Sequence, residues 1–255
     1  MSRLRVTAVS YLNTKPFLYG IFNSGLDQEM DLSLDIPSVC AQKLLSGEAD
    51  LGLVPVVTIP AMDRPVVISD YCIGADGPVR TVAIFSEVPV SRIKRLLLDF
   101  HSRTSVELVK LLLREYWQVS PRLIPAQEGF IEEIGGDTAG LVIGDRTFAL
   151  DQKFPFSYDL GLAWKDWTGL PFVFAAWVSR RPLPDDFVRR FNEALARGIE
   201  LIPQLIALMP KPVIGMGLED YFRHQISYVL DTTKKEALAL FLGKIAPIKE
   251  ALVFQ

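Results

Sequence analysis

Cysteine and histidine are scarce in this 255-residue chain, with two of each. Cys40 and Cys72 lie far apart in apolar stretches. They form no CxxC redox pair, cannot make a metal cluster by themselves, and read most simply as buried thiols. His101 and His224 belong to no HExxH, which argues against a zinc enzyme. A GxSxG elbow is missing, as are GxxxxGK[ST] and GxGxxG, so a serine hydrolase and the common nucleotide loops are unpromising. Positive charge is not in surplus: 27 Lys and Arg stand against 30 Asp and Glu, a formal net charge of -3. The cations are scattered, and nucleic acid is not an expected partner. No apolar run has the length of a signal peptide at the N-terminus or of a membrane helix elsewhere. The expectation is a reducing, cytoplasmic protein with no membrane partner.

What the chain does contain is 49% hydrophobic and 22% charged residues, the balance of a folded chain long enough to bury a core without staples. The first half alternates strand and helix signals. Leu4 to Val9 reads as a strand that runs into the polar turn Ser10 to Thr14, and a helix follows over Pro16 to Phe22. Leu32 to Ile36 is again strand-like, Val39 to Leu45 reads as a short helix capped by Ser38, and Asp50 to Val54 is a short buried strand. A second unit carries strands over Val79 to Phe85, Arg95 to Asp99, Leu123 to Pro125 and Leu141 to Ile143, with a helix from Ser102 to about Tyr116. Thr104 and Glu107 have capping-box spacing within it, as do Thr233 and Glu236 further on. Phe172 to Val178 is an apolar strand. The tail reads as helices over Asp185 to Ile199, on to Met209, over Leu218 to Leu230 and over Thr233 to about Ile245. This βαβ rhythm predicts two α/β lobes with a crossing chain and a ligand cleft between them.

The loops expected at that cleft are Ser10 to Thr14, Pro37-Ser38, Val54-Pro55, Ser102 to Ser105 and Gly144-Asp145. They are rich in hydroxyls, carboxamide and backbone N–H, and poor in ionisable bases. Ser38 and Thr104-Ser105 sit where helices begin, so they either cap those helices or offer N–H groups to a carboxylate; the residues alone favour the cap. Asn13 is either a turn asparagine or a donor to a developing oxyanion. Thr81 is a β-branched strand residue whose hydroxyl faces the cleft if the strand leads between lobes. Asp145 either touches ligand or caps the next helix, the cap being favoured. Trp164, Trp167 and Phe172 either wall a ring-shaped pocket or pack in the core, the commoner use.

Several of these loops, taken in order, resemble one family. Val9-Ser-Tyr-Leu-Asn-Thr-Lys-Pro-Phe17, Asp50-Leu-Gly-Leu-Val-Pro-Val56, Asp76-Gly-Pro-Val-Arg-Thr81, Ser102-Arg-Thr-Ser105 and Ile143-Gly-Asp145 are followed by the longest and most specific stretch, Asp159-Leu-Gly-Leu-Ala-Trp-Lys-Asp-Trp-Thr-Gly-Leu-Pro-Phe-Val-Phe-Ala-Ala-Trp177. Together they are similar to the chorismate dehydratase family of the futalosine route to menaquinone, over about the first 180 residues. The resemblance implies an α/β, periplasmic-binding-protein-like fold of type II: two α/β lobes, one made of residues 1–84 with 178–255 and the other of 85–177, around a central ligand cleft. It implies a hydro-lyase that converts chorismate to 3-[(1-carboxyvinyl)oxy]benzoate without metal or organic cofactor. Asn13 and Thr81 would stand near the chemistry, Thr81 in place of a serine. Ser10, Tyr11, Thr14, Ser38, Pro55, Thr104, Ser105, Gly144 and Asp145 would bind substrate, with Ser38, Thr104 and Ser105 on its carboxylates. The substrate's own enolpyruvyl carboxylate is the expected base. The readings set against it are 1,4-dihydroxy-6-naphthoate synthase on the same fold, which the Ser-Tyr-Leu-Asn turn disfavours, and a non-catalytic binding protein for a small aromatic acid. Monomer and homodimer both remain open.

Overall fold

The computed structural model describes residues 3–150, 152–209, 217–246 and 252–255. Strand β1 (Leu4–Val9) leads through a short turn into α1 (Lys15–Ser24), followed by β2 (Met30–Asp35), α2 (Pro37–Ser46), β3 (Leu51–Pro55) and β4 (Val66–Ala75). Proline in the first turn of α1 and α2 presets the helical backbone, and Gly25 and Gly47 end them at φ of +73° and +83°. The chain then crosses to a smaller lobe of β5 (Val82–Ser86), β6 (Arg95–Leu98), α3 (Thr104–Leu111), β7 (Arg122–Pro125), β8 (Thr138–Ile143), β9 (Phe156–Asp159) and α4 (Leu160–Thr168). It returns as β10 (Phe172–Ser179), α5 (Asp185–Glu200), α6 (Ile202–Leu208), the three-residue α7 (Leu218–Asp220), a π-type turn over Tyr221–Gln225, β11 (Ser227–Val229), α8 (Thr232–Ile245) and β12 (Val253–Phe254).

The larger sheet has the order β11-β4-β10-β3-β1-β2, with β12 beside β4, and the smaller has β7-β6-β8-β5-β9. In the larger sheet β1 is parallel to β2 and β3, while β10 lies antiparallel between β3 and β4. Every residue of β3 and β10 is buried, as expected for strands covered on both faces. One apolar cluster runs through both lobes: Ile84, Leu96 and Leu141 of the smaller sheet join Leu53, Ile73 and Trp177 of the larger. Among the described residues, no helix is long and apolar enough to cross a membrane.

The lobe boundaries differ from the sequence reading. The outward crossing lies between Ala75 and Val82, and β10, read as the end of the second lobe, belongs to the larger sheet from Phe172 onward. Its continuous apolar run specifies burial but not which strands flank it. Thr81 sits on a bend before β5, not inside a strand, and Arg80 adopts φ of +61° there. The tail is not all helical: Ser227–Val229 pairs with β4, which ends the helical path after Gln225. Neither capping box forms. The Oγ of Ser102 accepts from Ser105 N to cap α3, and the Asp231 carboxylate accepts from Lys234 N to cap α8. Ser38 is the second residue of α2 and Ile36 its N-cap. Strands β4 and β9 were not anticipated. The polar Ser69-Asp70-Tyr71 interrupts the hydrophobic run of β4.

Helices α1 and α5 approach so closely that a Cβ on Gly198 would stand 1.9 Å from the Pro16 carbonyl oxygen, and one on Gly20 at 1.9 Å from that of Ala194. Both obstacles are backbone, so the helices must separate to admit a methyl group. The cost of such overpacking, about 3 kcal/mol, outweighs the ~1 kcal/mol that alanine offers over glycine in a helix. Gly198→Ala is therefore expected to lower the urea midpoint markedly. An unchanged midpoint would show that the crossing yields freely.

Candidate active site

Where the two lobes face each other, a cavity of about 540 Å³, its mouth included, opens between strand ends. Its wall combines Val9, Tyr11 and Asn13 after β1, Pro37 at the start of α2, Pro55 at the end of β3, Thr81 on the crossover, Ser102 to Ser105 before and in α3, and Gly144 after β8. Phe174 and Ala175 of β10 lie behind. Arg103 is the only charged residue of this lining. It is half-buried, and among the described residues nothing hydrogen-bonds or ion-pairs with its side chain. An arginine beside a helix N-terminus and a serine hydroxyl is chemistry that can pair with a carboxylate. Among the described residues, no group of three or more His, Cys, Asp or Glu side chains is placed to hold a metal ion.

The lobes touch around this cavity. The Asp145 carboxylate accepts from Leu12 N at 3.1 Å, Ser38 N donates to the His101 carbonyl at 3.1 Å, and the Tyr11 hydroxyl lies 2.6 Å from His101 Nδ1. Burial pushes the Tyr11 phenol up and the His101 imidazole down, the latter helped by the Arg146 charge. The phenol therefore keeps its proton and is bonded to a neutral ring. Asp145 is raised by desolvation, opposed by the Leu12 N–H and by Lys15. Buried Asp99 organises the smaller lobe's side, accepting from His101 N, Ile143 N and Arg146. The Gly144 backbone, at φ of +71°, packs under the Tyr11 ring.

A hydrogen-bonded cluster lies at the cavity's inner wall. The Tyr221 hydroxyl donates to Thr81 Oγ1 at 3.3 Å, and the Thr81 hydroxyl reaches the Val79 carbonyl at 3.4 Å. Asn13 Oδ1 accepts from Thr14 at 3.3 Å, and its backbone carbonyl accepts from the Tyr228 hydroxyl at 3.0 Å. Asp159 holds the crossover in place: one carboxylate oxygen accepts from Val79 N at 2.9 Å and Arg80 N at 2.6 Å, the other from Leu162 N at the start of α4. Burial raises its pKa against these bonds.

A family model described as menaquinone biosynthesis matches residues 4–247. The chain belongs to the menaquinone-biosynthesis family. A chorismate dehydratase of Thermus thermophilus is 32% identical over 184 residues, covering 64% of this chain and 67% of that protein. The fold matches an Archaeoglobus fulgidus protein of known structure at a TM-score of 0.70, 18% identity and 96% coverage of both chains. It also matches a Candida albicans protein described as having the generic periplasmic binding protein fold, at a TM-score of 0.59 and 12% identity, over 96% of this chain and 92% of that one. The menaquinone-biosynthesis chain thus has the two-lobed, periplasmic-binding-protein-like architecture.

In this family member, Asn13, Thr81, Tyr11, Pro55, Thr104, Ser105 and Gly144 meet at one cavity. Ser10, Thr14, Ser38 and Asp145 fall outside its lining. Ser10 is exposed, Thr14 is buried beneath Asn13, and Ser38 and Asp145 make the cross-lobe bonds instead. The Thr104 hydroxyl donates to the Phe174 carbonyl at 2.9 Å. Trp164 is fully buried against Trp167, Phe172 and Phe241, which is packing and not a ligand wall. Sequence reasoning passed over Arg103, although it stands inside Ser102-Arg-Thr-Ser105, and it passed over Asp159 and Tyr221. A charged residue in a loop otherwise made of hydroxyls was a usable signal for the first. Asp159 opens the most specific family-like stretch, which was a usable signal for it, and no local signal marked Tyr221.

Proposed function

We propose that the protein is a cytoplasmic chorismate dehydratase, a hydro-lyase that forms 3-[(1-carboxyvinyl)oxy]benzoate for menaquinone biosynthesis. The observation that carries the reading is a carboxylate-binding corner, Arg103 with the α3 N-terminus, in the same cavity as Asn13 and Thr81, in a chain that resembles a chorismate dehydratase. Chorismate's ring proton beside the enolpyruvyl ether is vinylogous to the ring carboxylate. Its removal spreads negative charge into that carboxylate. Departure of the neighbouring hydroxyl then yields an aromatic ring and water. Such an elimination needs a held, stabilised carboxylate more than a nucleophile. Arg103 and the Ser105 hydroxyl hold a carboxylate, with Thr104 fixed beside them by its bond to the Phe174 carbonyl. Asn13 and Thr81 supply donors where charge develops, and the enolpyruvyl carboxylate takes the proton. Tyr11, Pro55 and Gly144 shape the cavity. Ser10, Thr14, Ser38 and Asp145 act through the turn and the lobe contacts around it.

Incubating the purified protein with chorismate and following products by chromatography with mass detection tests this directly. A product lighter by one water, identified as the meta-substituted enolpyruvyl benzoate, supports the dehydratase. Binding without turnover would make it a binding protein, and neither would point to 1,4-dihydroxy-6-naphthoate synthase.

Arg103→Met keeps most of the apolar stem and removes the charge. A charge-assisted carboxylate contact contributes about 2 kcal/mol, so KM is expected to rise about 30-fold. Calorimetric titration with chorismate checks it, and wild-type affinity would remove Arg103 from the site.

A further inference from the structure

Tyr221 opens the π-type turn between α7 and β11 and is fully buried, outside the cavity lining. Its hydroxyl reaches one of the two residues placed at the chemistry, donating to Thr81 Oγ1 at 3.3 Å. Burial raises the pKa overall, and the phenol keeps the proton it gives to Thr81. The π-type turn that presents it is an arrangement common at functional sites.

We infer that Tyr221 is a positioning residue for the proposed dehydration, directing the Thr81 hydroxyl to donate into the cavity. The inference rests on the chorismate dehydratase reading. A threonine hydroxyl has one hydrogen and two lone pairs. Tyr221 occupies one of those lone pairs, so Thr81 is directed to donate. Among the described residues, the only other partner of the Thr81 hydroxyl is the Val79 carbonyl at 3.4 Å, near the outer limit of a hydrogen bond. A substrate oxygen in the cavity competes for that hydrogen easily. Without the hydroxyl, Thr81 loses that anchor while every ring contact remains.

Kinetics on four proteins tests this: wild type, Tyr221→Phe, Thr81→Ala and the double variant, each with its melting transition. Tyr221→Phe keeps the ring's edge-on packing with Phe148. It is expected to lower kcat about 10- to 100-fold with KM within about threefold. The double variant is expected to be no slower than Thr81→Ala alone, since residues acting as a unit are non-additive. Phe148→Leu, which loosens the packing and leaves the hydroxyl, is expected to lower the melting temperature without lowering kcat. The inference is overturned by a Tyr221→Phe enzyme within twofold of wild type, by losses that multiply in the double variant, by a Phe148→Leu enzyme equally slow, or by collapse of the Tyr221→Phe fold. A wild-type enzyme that does not consume chorismate overturns the dehydratase reading and this role with it.

Discussion

Asn13→Ala is expected to lower kcat for chorismate by about 10²- to 10³-fold, the range found when one preorganised donor is removed from a water-excluded site, while KM changes little. The turn that carries Asn13 is fixed from several sides. Its backbone carbonyl accepts from Tyr228, its Oδ1 accepts from Thr14, and Leu12 N beside it is held by Asp145 of the other lobe. A carboxamide anchored this firmly pays no reorganisation when negative charge reaches the substrate. Asn13→Asp is the sharper comparison, because a near-isosteric carboxylate places like charge where the anion forms, and its loss is expected to be at least as large. Steady-state rates with a separate binding measurement decide the matter. Equal losses in affinity and in kcat/KM would remove Asn13 from the transition state.

Gly144→Ala is the second large effect, with an expected fall in kcat/KM of about 100-fold. Two costs coincide at this position. The residue has φ of +71°, where an L side chain costs about 1–2 kcal/mol. The new Cβ would also stand 2.7 Å from ring atoms of Tyr11. The loop cannot easily retreat, since Gly144 N donates to the Thr81 carbonyl at 2.8 Å and Thr147 Oγ1 donates to the Gly144 carbonyl at 2.9 Å. Tyr11 must move instead, which breaks its bond to His101 and loosens the contact between lobes. Titration with chorismate and small-angle scattering with ligand present read both consequences. Wild-type affinity together with an unchanged radius of gyration would show that the Tyr11 ring gives way at no cost.

Local chemistry made part of this molecule legible in the sequence. The proline opening α1, the glycine closing α2 and the apolar run of β10 are short-range signals, and they found their elements. Of the hydroxyl-rich loops, the turn at Asn13 and Ser102 to Ser105 reach the cavity, while Ser102 also caps α3 and Thr104 bonds the Phe174 carbonyl. What stayed hidden depends on distant partners. Ser227–Val229 is a strand only because β4 offers an edge. Asp145 resembles a helix cap until the other lobe brings Leu12 N to it. Ser38 resembles a cap until His101 takes its N–H. Tyr221 lies 140 positions from Thr81, and a buried tyrosine in a tail of helices carries no mark of its neighbour. Arg103 is different, for it stood inside a recognised loop.

The position of β10 also governs the order in which the chain assembles as it is made. Strand β10 separates β3 from β4 in the larger sheet, yet it is synthesised after the whole of the smaller lobe. Until Ser179 has emerged from the ribosome, β3 and β4 each lack their central partner, and their apolar edges stand open. The smaller lobe's strands, by contrast, lie within one uninterrupted stretch, 82–159, and can pair as they appear. Completing the larger sheet requires closing a loop of about 100 residues over an insert already formed, a non-local step of the kind that slows folding. Nascent chains arrested before residue 172 therefore carry the strand edges most prone to aggregate, and a chaperone binding there would meet β3 and β4.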